Sequence, residues 1–493
     1  MAFRGPLARS YLAAVLLVLL ALCPYLVLTT AGHPLDPLVG HDLGLSTTGL
    51  ALTAGFANAG YSFGCVLAAQ LAQKSHGRRL LALYSALFVL ASVAAAWAPA
   101  PGVYIGGRIL QGLTTGAMLI AAAPTLVLGW GPEKLPRTAV VMNLGIFGAV
   151  ALGPVIGGAV AGGIDDWRVL FWVVAGLGAG ALALIVLTFT DQEPMDPSAP
   201  WDPVGITLAG LACAALFFGV SYVSAQPLLS APVLIPLVGG ALALVGTILW
   251  EYHARRPLMP LRGLAHTYPV VGILTAMIAG ASSVSLVELA QTALDHKGSS
   301  VLHAGLLFLP ELGGALIAAV AFGALFRTRY PPALAFSGLL LMGAGGALLV
   351  GASTGPDVLV AVGTGLVGLG TGFSVAPALF VAGFSLPSRN LPRIFALIEL
   401  LRGVAAFLAG PLLLHLAETV GGDPVTGLRT AGWIAFAMPL GGAILVLAVF
   451  LLGHGQLRRP HIERWVDGEE PAIDSSPIFA RVRRKTADHR VSV

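Results

Sequence analysis

The chain has 493 residues, of which 10% are charged and 57% hydrophobic, with a mean hydropathy of +0.87. Soluble domains carry roughly 25% charge, so these values exclude a surface that faces water all round and point to a lipid bilayer as the solvent. The 63 glycines and 33 prolines lie largely inside apolar runs, where membrane helices tolerate them, and so do not signal disorder.

A spanning helix needs about 20 mainly apolar residues. Fourteen such windows run in chain order: Tyr11 to Ala31, Gly49 to Ala72, Leu80 to Trp97, Val103 to Trp130, Thr138 to Ile164, Val169 to Thr188, Val204 to Val223, Val233 to Trp250, Val270 to Leu294, Val301 to Phe326, Ala333 to Ala352, Val358 to Phe384, Ile394 to Ala417 and Ala431 to Leu452. The first is long for a signal-peptide core and lacks a small-residue cleavage site, so it is expected to be retained. Cys23, Cys65 and Cys213 fall in apolar stretches without metal-type spacing, which predicts buried small side chains and neither a disulfide framework nor a zinc site.

With the N-terminus in the cytoplasm, 22 of the 27 Lys and Arg residues fall inside, including Arg4, Arg78, Arg79, Arg137, Arg256, Arg393 and the tail cations Arg458, Arg459, Arg464, Arg481, Arg483, Arg484, Lys485 and Arg490. Arg168, Lys297 and Arg429 fall outside, and Arg108 and Arg402 remain in the membrane. This bias predicts both termini cytoplasmic and residence in the cytoplasmic (inner) membrane. The net charge of +4 is thus a topology signal. No nucleic-acid partner is expected, and the tail is free to touch anionic lipid.

The chain also repeats itself. Gly112 to Gly116 recurs as Gly368 to Gly372, Leu135-Pro136-Arg137 as Leu391-Pro392-Arg393, and Gly153-Pro154 as Gly410-Pro411, at offsets of 256, 256 and 257 residues. An even number of helices separates the copies, so both have one orientation, the parallel repeat of a class of secondary transporters. The offset leaves room for an extra helix pair. The expected plan is an all-α membrane protein of six plus two plus six helices: residues 1–190, a linker and inserted hairpin at 191–266, a second half at 267–453 and a basic tail at 454–493. The linker from Asp191 through Glu193 and Asp196 to Asp202 reads as a solvated connector.

An ionisable group at the centre of a membrane helix costs roughly 2.5–3.5 kcal/mol, so each one needs a reason. Glu399 and Arg402 lie three apart and can meet on one helix face, which fits mutual neutralisation and a coupling role equally. Asn143 stands 256 residues before Glu399, so the acid belongs to one half alone, and this favours function. Glu311 follows Pro310 near the middle of its window, where the proline frees a backbone carbonyl; it is the leading proton-site candidate. Glu288, toward the far end of its window, is a further proton-coupling candidate, with simple reach to the interface as the plainer and favoured account. His415 titrates in a useful range, although a lone membrane histidine is more often a hydrogen-bonded interior residue.

Arg108, with Gln111 and Gly112 beside it, can hold an acid in one conformation and release it in another, linking protonation to shape. The plain alternative is a static salt bridge. Gly148, Gly153, Pro154, Gly157 and Gly158 allow close helix approach and a kink, which serves ordinary packing or control of which side opens. Arg78, Arg79, Arg137 and Arg393 are candidate charge latches, with topology as the simpler account. Phe56, Tyr61, Phe373 and Phe380 suit the wall of an apolar cavity, though packing is the commoner use of such residues. There is no G-x-x-x-x-G-K-[ST] motif, so ATP-driven pumping by this chain is not expected, nor is any cofactor or metal.

These segments carry a resemblance. Arg108-Ile109-Leu110-Gln111-Gly112 resembles the R-x-x-Q-G element of the major facilitator superfamily, and Gly148 through Gly158 is similar to that superfamily's exporter-type glycine-proline motif. Asp166 through Trp172 resembles the family's W-R-x-x-F-x element entering the sixth helix, and Pro257 through Leu261 and Ala304 through Pro310 resemble segments of its fourteen-helix drug:proton antiporter branch. The resemblance implies the major facilitator fold and a secondary exporter, not an enzyme. It would move small amphipathic compounds by alternating access in exchange for protons, as a functional monomer in the bilayer. The loop Gln73-Lys74-Ser75-His76-Gly77-Arg78-Arg79 departs from the family, with Gln73 at the place of an aspartate and one extra residue. The first helix has Leu28 where the branch usually has an aspartate. Two other readings stay open: a transporter of one metabolite or siderophore, uncoupled from protons, and a transport-inactive receptor or scaffold that uses its tail.

Overall fold

The computed structural model describes residues 5–188, 194, 196–198, 200–255, 257–420, 422–468 and 470–478. Asp191, Glu193, Arg4, Arg256, Arg481, Arg483, Arg484, Lys485 and Arg490 lie outside the described residues. Among the described residues, fourteen helices are long and apolar enough to cross a bilayer: α1 Tyr11–Thr30, α2 Thr47–Lys74, α3 Gly77–Ala96, α4 Pro101–Leu128, α5 Leu135–Ile164, α6 Arg168–Thr188, α7 Pro203–Tyr222, α8 Ala231–His253, α9 Thr267–His296, α10 Val301–Leu325, α11 Pro331–Leu349, α12 Asp357–Gly383, α13 Ser388–Thr419 and α14 Pro424–Leu452. Their order and number match the fourteen sequence windows. The protein is an all-helical integral membrane protein.

The helices start where a side chain can satisfy the first free N–H groups. Ser10, Ser46, Asp202, Ser300 and Asp423 each accept a hydrogen bond from the backbone three residues on. Asp202 also accepts from Trp250 Nε1 at 2.9 Å. This end of the linker, read from sequence as a solvated connector, therefore caps α7 and ties it to α8. Helix α10 is two pieces, Val301–Leu306 and Leu309–Leu325. Pro310 has no N–H to give to the Leu306 carbonyl, so the ladder breaks there. Glu311 accordingly stands in the first turn of the second piece, where the sequence placed it mid-way along one helix. A helix the sequence reading did not foresee, Gly32–Leu43, joins α1 to α2 and ends at Gly44 with φ of 65°.

Helix pairing follows one pattern twice. Within α1–α6 the packed pairs include α2 with α4, α3 with α4 and α6, and α1 with α4, α5 and α6. Within α9–α14 the same pairs recur eight helices later: α10 with α12, α11 with α12 and α14, and α9 with α12, α13 and α14. The two sets meet chiefly through α2 against α13 and α5 against α10. Helices α7 and α8 pack on each other, with α7 lying against α2 and α13. We call the end carrying Gly32–Leu43 distal and the end carrying residues 454–478 proximal.

Small residues make these pairs close. A Cβ at Gly116 would overlap the Tyr61 carbonyl oxygen of α2, whereas one at Gly106, on the same helix, would meet nothing within 4 Å. Gly116→Ala is therefore expected to cost the roughly 1–3 kcal/mol of overpacking or more, read as a lower thermal midpoint of the detergent-purified protein. Gly106→Ala should leave it unchanged or slightly raised.

Candidate functional site

Between the two sets, toward the distal end, lies a cavity of about 370 Å³. Asp36, Arg108, Glu288, Glu311 and His415 line it together with mostly apolar walls. Each polar member arrives by a different route. The Pro310 break turns the start of the second α10 piece so that Glu311 lines the cavity, buried at 4% exposure. Its Oε2 accepts no hydrogen bond from the described residues. Glu288 does not extend to the lipid interface: its carboxylate lies over Gly410 of α13, where a Cβ would displace it, and its Oε2 also lacks a partner among the described residues. At the corresponding place in the first set, Gly153 of α5 makes room for the Thr30 hydroxyl of α1. The repeat marked by Gly153 and Gly410 thus recurs as one packing arrangement, with an acid on one side only.

Arg108 is 7% exposed. It donates to Gln111 Oε1 at 3.1 Å, Gln111 donates to Ser92 Oγ at 2.9 Å, and the rings of Tyr25 and Phe171 stand 5.7 and 5.6 Å from the guanidinium. No described carboxylate pairs with it, so the static salt bridge considered from sequence is not formed in this conformation. Gly112 lets α4 reach the Ala57 carbonyl of α2 and puts Arg108 at this depth. Asp36, on the unforeseen distal helix, is pushed up to about 6 by burial, against the pull of His33 and Arg108.

Glu399 and Arg402 behave differently. Arg402 Nε donates to Glu399 Oε1 at 3.2 Å, its Nη2 donates to Oε2, and Tyr61 Oη of the opposite set donates to Oε2 at 3.0 Å. The carboxylate is thus held by two partners. This pair and Asn143 border a second, smaller pocket of about 80 Å³, lined also by Tyr61 and Phe380. Phe56 instead lies tilted against Phe218, at 6.2 Å between centroids.

The glycine-proline segment of α5 touches both sets. A Cβ at Gly157 would lie 2.8 Å from the Ala31 carbonyl oxygen, and one at Gly158 2.8 Å from that of Val301; one at Gly148 would meet Leu312 at 3.2 Å. Gly305 answers from α10, approaching the Pro154 carbonyl. At the proximal end, Arg393 Nη2 donates to Gln73 Oε1 at 2.9 Å and Arg327 Nη2 to the Pro132 carbonyl at 2.6 Å, both across the sets. Of the other loop residues, Lys74 lies over the Trp201 ring at 4.8 Å, Gly77 opens α3, Arg78 donates to the Val186 carbonyl at 3.1 Å, and Arg79 and Arg137 are exposed. At the distal end, His33 Nε2 meets Asp295 Oδ2 at 2.7 Å across the sets.

Two pseudo-equivalent helix sets around a membrane-embedded cavity with buried acids define a membrane transporter. The chain belongs to the Major Facilitator Superfamily, whose profile matches residues 17–410. It is 25% identical over 490 residues to the uncharacterized MFS-type transporter YubD of Bacillus subtilis, covering 95% of this chain and 94% of that one. It is 29% identical over 350 residues to a Multidrug resistance protein B homolog of Mycobacterium tuberculosis, covering 68% of this chain and 63% of that one. It is 27% identical to a triacylglyceride transporter of Mycolicibacterium hassiacum, covering 85% and 88%. The crystal structure of the human organic anion transporter MFSD10 shares its fold, with a TM-score of 0.60 at 15% identity over 89% of this chain and 99% of that one.

The distal bridge generates a pH prediction. Burial lowers the affinity of His33 for its proton, but the Asp295 hydrogen bond and the charges of Asp295, Asp36 and Glu288 outweigh this and hold it above its ordinary 6.5. Its contribution to distal closure is complete below that ordinary value and fades as pH rises through the raised one. The pair is more than a third exposed, so its worth is limited to about 0.2–1 kcal/mol. A cysteine at Ser283 should accordingly be labelled by an impermeant maleimide up to about fivefold faster at pH 8 than at pH 6, after division by the rate in the His33→Gln background.

Proposed function

We propose that this transporter is a secondary exporter of small amphipathic compounds, built as six plus two plus six helices with residues 191–266 inserted between halves, and driven by inward proton flow. In this reading it works as a monomer in the cytoplasmic membrane with both termini inside, so that the proximal end is cytoplasmic. The observation that carries the proposal is the pair of partnerless carboxylate oxygens, on Glu288 and Glu311, inside an otherwise largely apolar cavity between the two sets. A buried carboxylate without a partner is costly, and binding a proton or a cationic cargo relieves that cost. Glu311 is the coupling residue: protonation removes its charge and lets the cavity close around it, and release of the proton restores the demand for cargo or water. Arg108, unpaired by any described acid, is the group that an acid approaches when the sets rock. Glu399 and Arg402 form a structural ion pair, steadied by Tyr61. The multidrug and triacylglyceride relatives support an amphipathic or lipophilic cargo.

A second reading is favoured by one contact. Where the family places an acid, Gln73 meets Arg393 through an amide, and α1 carries no acid; an uncoupled transporter of one metabolite fits these.

Reconstituted vesicles distinguish the two. An imposed pH gradient should drive uptake of a lipophilic dye, and added dye should dissipate the gradient; flux that ignores the gradient selects the uncoupled reading. Glu311→Gln is expected to lower gradient-driven flux by roughly five- to 150-fold, the span of an ordinary coupling free energy, with expression retained. Glu399→Gln leaves Arg402 buried against a neutral group and should instead cost stability, about 3–5 kcal/mol by the precedent of broken buried pairs, read by thermal denaturation in detergent. Unchanged flux in Glu311→Gln would remove the site assignment.

A further inference from the structure

The segment after α14 turns back over the proximal end of the second helix set. Residues Ile462–Val466 form a short helix in which Ile462 and Trp465, three apart, share one side. Both are buried, as are Ala472 and Ile473 farther along. Outside the hydrocarbon layer such burial removes apolar surface from water, so the hydrophobic effect holds the segment down. Hydrogen bonds fix where it lies. Trp465 Nε1 donates to the Leu386 carbonyl and the Ile473 N–H to that of Phe384, both just past α12. The Ser476 carbonyl accepts from the Thr267 N–H and Ser475 Oγ from that of Tyr268, each at 2.9 Å, which satisfies the first free N–H groups of α9. Arg459 Nε donates to the carbonyl of Arg327, just past α10, at 3.0 Å. Among the described residues, the bonds that leave this segment all go to the second set.

A column of rings carries the contact inward. Trp465 meets Phe384 edge-on at 5.0 Å between centroids, Phe384 meets Phe326 at 5.6 Å, and Phe326 meets Phe380 at 5.0 Å. Phe326 immediately precedes Arg327, whose Nη2 crosses to the Pro132 carbonyl of the first set at 2.6 Å. Arg327 is thus held from behind in three ways. The ring before it is packed beneath Phe384 and Trp465, its carbonyl accepts from Arg459, and its Nη1 faces Glu463 Oε1 at 3.8 Å. The same end of α10 abuts the first set directly, since a Cβ at Gly323 would overlap Val140 of α5. Both the folded-back segment and the opposite set therefore take hold of α10 at one place. Fixing the backbone of Arg327 in advance reduces the freedom that its long side chain must lose to reach Pro132.

We propose that residues 454–478 are a strap that positions Arg327 for its contact with the first set, with Trp465 as the anchor, so that docking of the strap favours the arrangement closed at the proximal end. Trp465 and Arg459 act through Arg327 and are positioning residues. Undocking frees Arg327 and biases the two sets toward proximal opening, by as much as the strap fits one arrangement better than the other. The inference goes beyond the exporter reading and holds for either direction of transport and for any driving force.

The test uses the full-length protein in detergent and reads the two ends separately. Ala139 of α5 is buried and borders the smaller pocket, whereas Ser283 lines the distal cavity. Ala139→Cys and Ser283→Cys are made singly, and the rate of maleimide labelling at each introduced thiol is followed by mass spectrometry of its peptide. Trp465→Ala should raise the rate at Ala139→Cys roughly five- to 30-fold and leave that at Ser283→Cys unchanged or lower. Arg327→Gln should act in the same direction, and adding Trp465→Ala to it should change little more, because both remove one interaction. Arg459→Gln, at an exposed position that leaves the buried anchor intact, should raise the rate at Ala139→Cys about two- to fivefold, as loss of one net hydrogen bond does. Unchanged labelling of Ala139→Cys in the Trp465→Ala variant reduces the strap to local packing and overturns the inference. A rise at both ends, which is general loosening, overturns it too, as does an effect of Trp465→Ala that persists in full beside Arg327→Gln. If Trp465→Ala does not fold, Arg459→Gln decides by the same two rates.

Discussion

Inside a hydrocarbon layer there is no water to complete a hydrogen bond or screen a charge, so every polar group must find its partner within the protein. The sequence meets this constraint with few charges, and the structure shows how those few are accommodated. Glu399 is held by Arg402 and Tyr61, and Arg108 by Gln111 and two aromatic faces. Threonine and serine hydroxyls return to carbonyls one turn back, as Thr53, Thr114 and Ser285 do. Against this background a polar atom without a partner is conspicuous. Three residues that carry such an atom, Glu288, Glu311 and Asn143, border the two spaces between the helix sets.

Close packing is the other half of the same economy. Lipid tails are as apolar as leucine, so helices gain little by hiding hydrophobic surface from them, and association depends on near contact and on interhelical polar bonds. The glycines that the sequence repeats, Gly112 and Gly116 against Gly368 and Gly372, are the points where α4 meets the backbone of α2 and where α12 meets α10. A repeat of small residues in sequence is thus a repeat of helix contacts in space. The interface between the sets is built on α2 with α13 and α5 with α10, helices that the same eightfold shift exchanges. An interface of that symmetry can tilt about its middle, trading contacts at one end for contacts at the other.

Much of this was legible in the sequence, for physical reasons. Spanning helices are long runs of one kind of residue, so their number and order follow from composition. The Glu399 and Arg402 pair follows from helical spacing, and the break before Glu311 from the missing N–H of Pro310. What was not legible depends on tertiary approach. The helix Gly32–Leu43 is short and mixed in polarity, so no window detects it, and with it went Asp36 and His33. Glu288 looked like an interfacial acid because its depth along α9 was readable and the space over Gly410 was not. Asn143 entered only as the neutral counterpart of Glu399; the Gly372 carbonyl that orients it lies 229 residues away in the chain. The segment after α14 was read as a basic tail, yet Trp465 is fully buried there and donates to the Leu386 carbonyl at 2.9 Å.

The character of the end contacts bears on how easily the two sets could rearrange. Proximally, the bonds that cross between sets run from guanidinium groups to an amide oxygen and a backbone carbonyl, Arg393 to Gln73 and Arg327 to Pro132. Hydrogen bonds to a charged partner are worth about 1.5–3 kcal/mol each when buried, and these two lie at the partly exposed end of the bundle, where water competes for the same groups. Their sum is a few kcal/mol, of the order that a ligand with differential affinity for two states supplies. With glutamine at position 73 the Arg393 contact has no carboxylate to titrate, so it does not loosen on acidification as an ion pair would. The distal contact, His33 with Asp295, does titrate. That titrating contact lies beside the cavity that contains Glu288 and Glu311, which His33 itself helps to line.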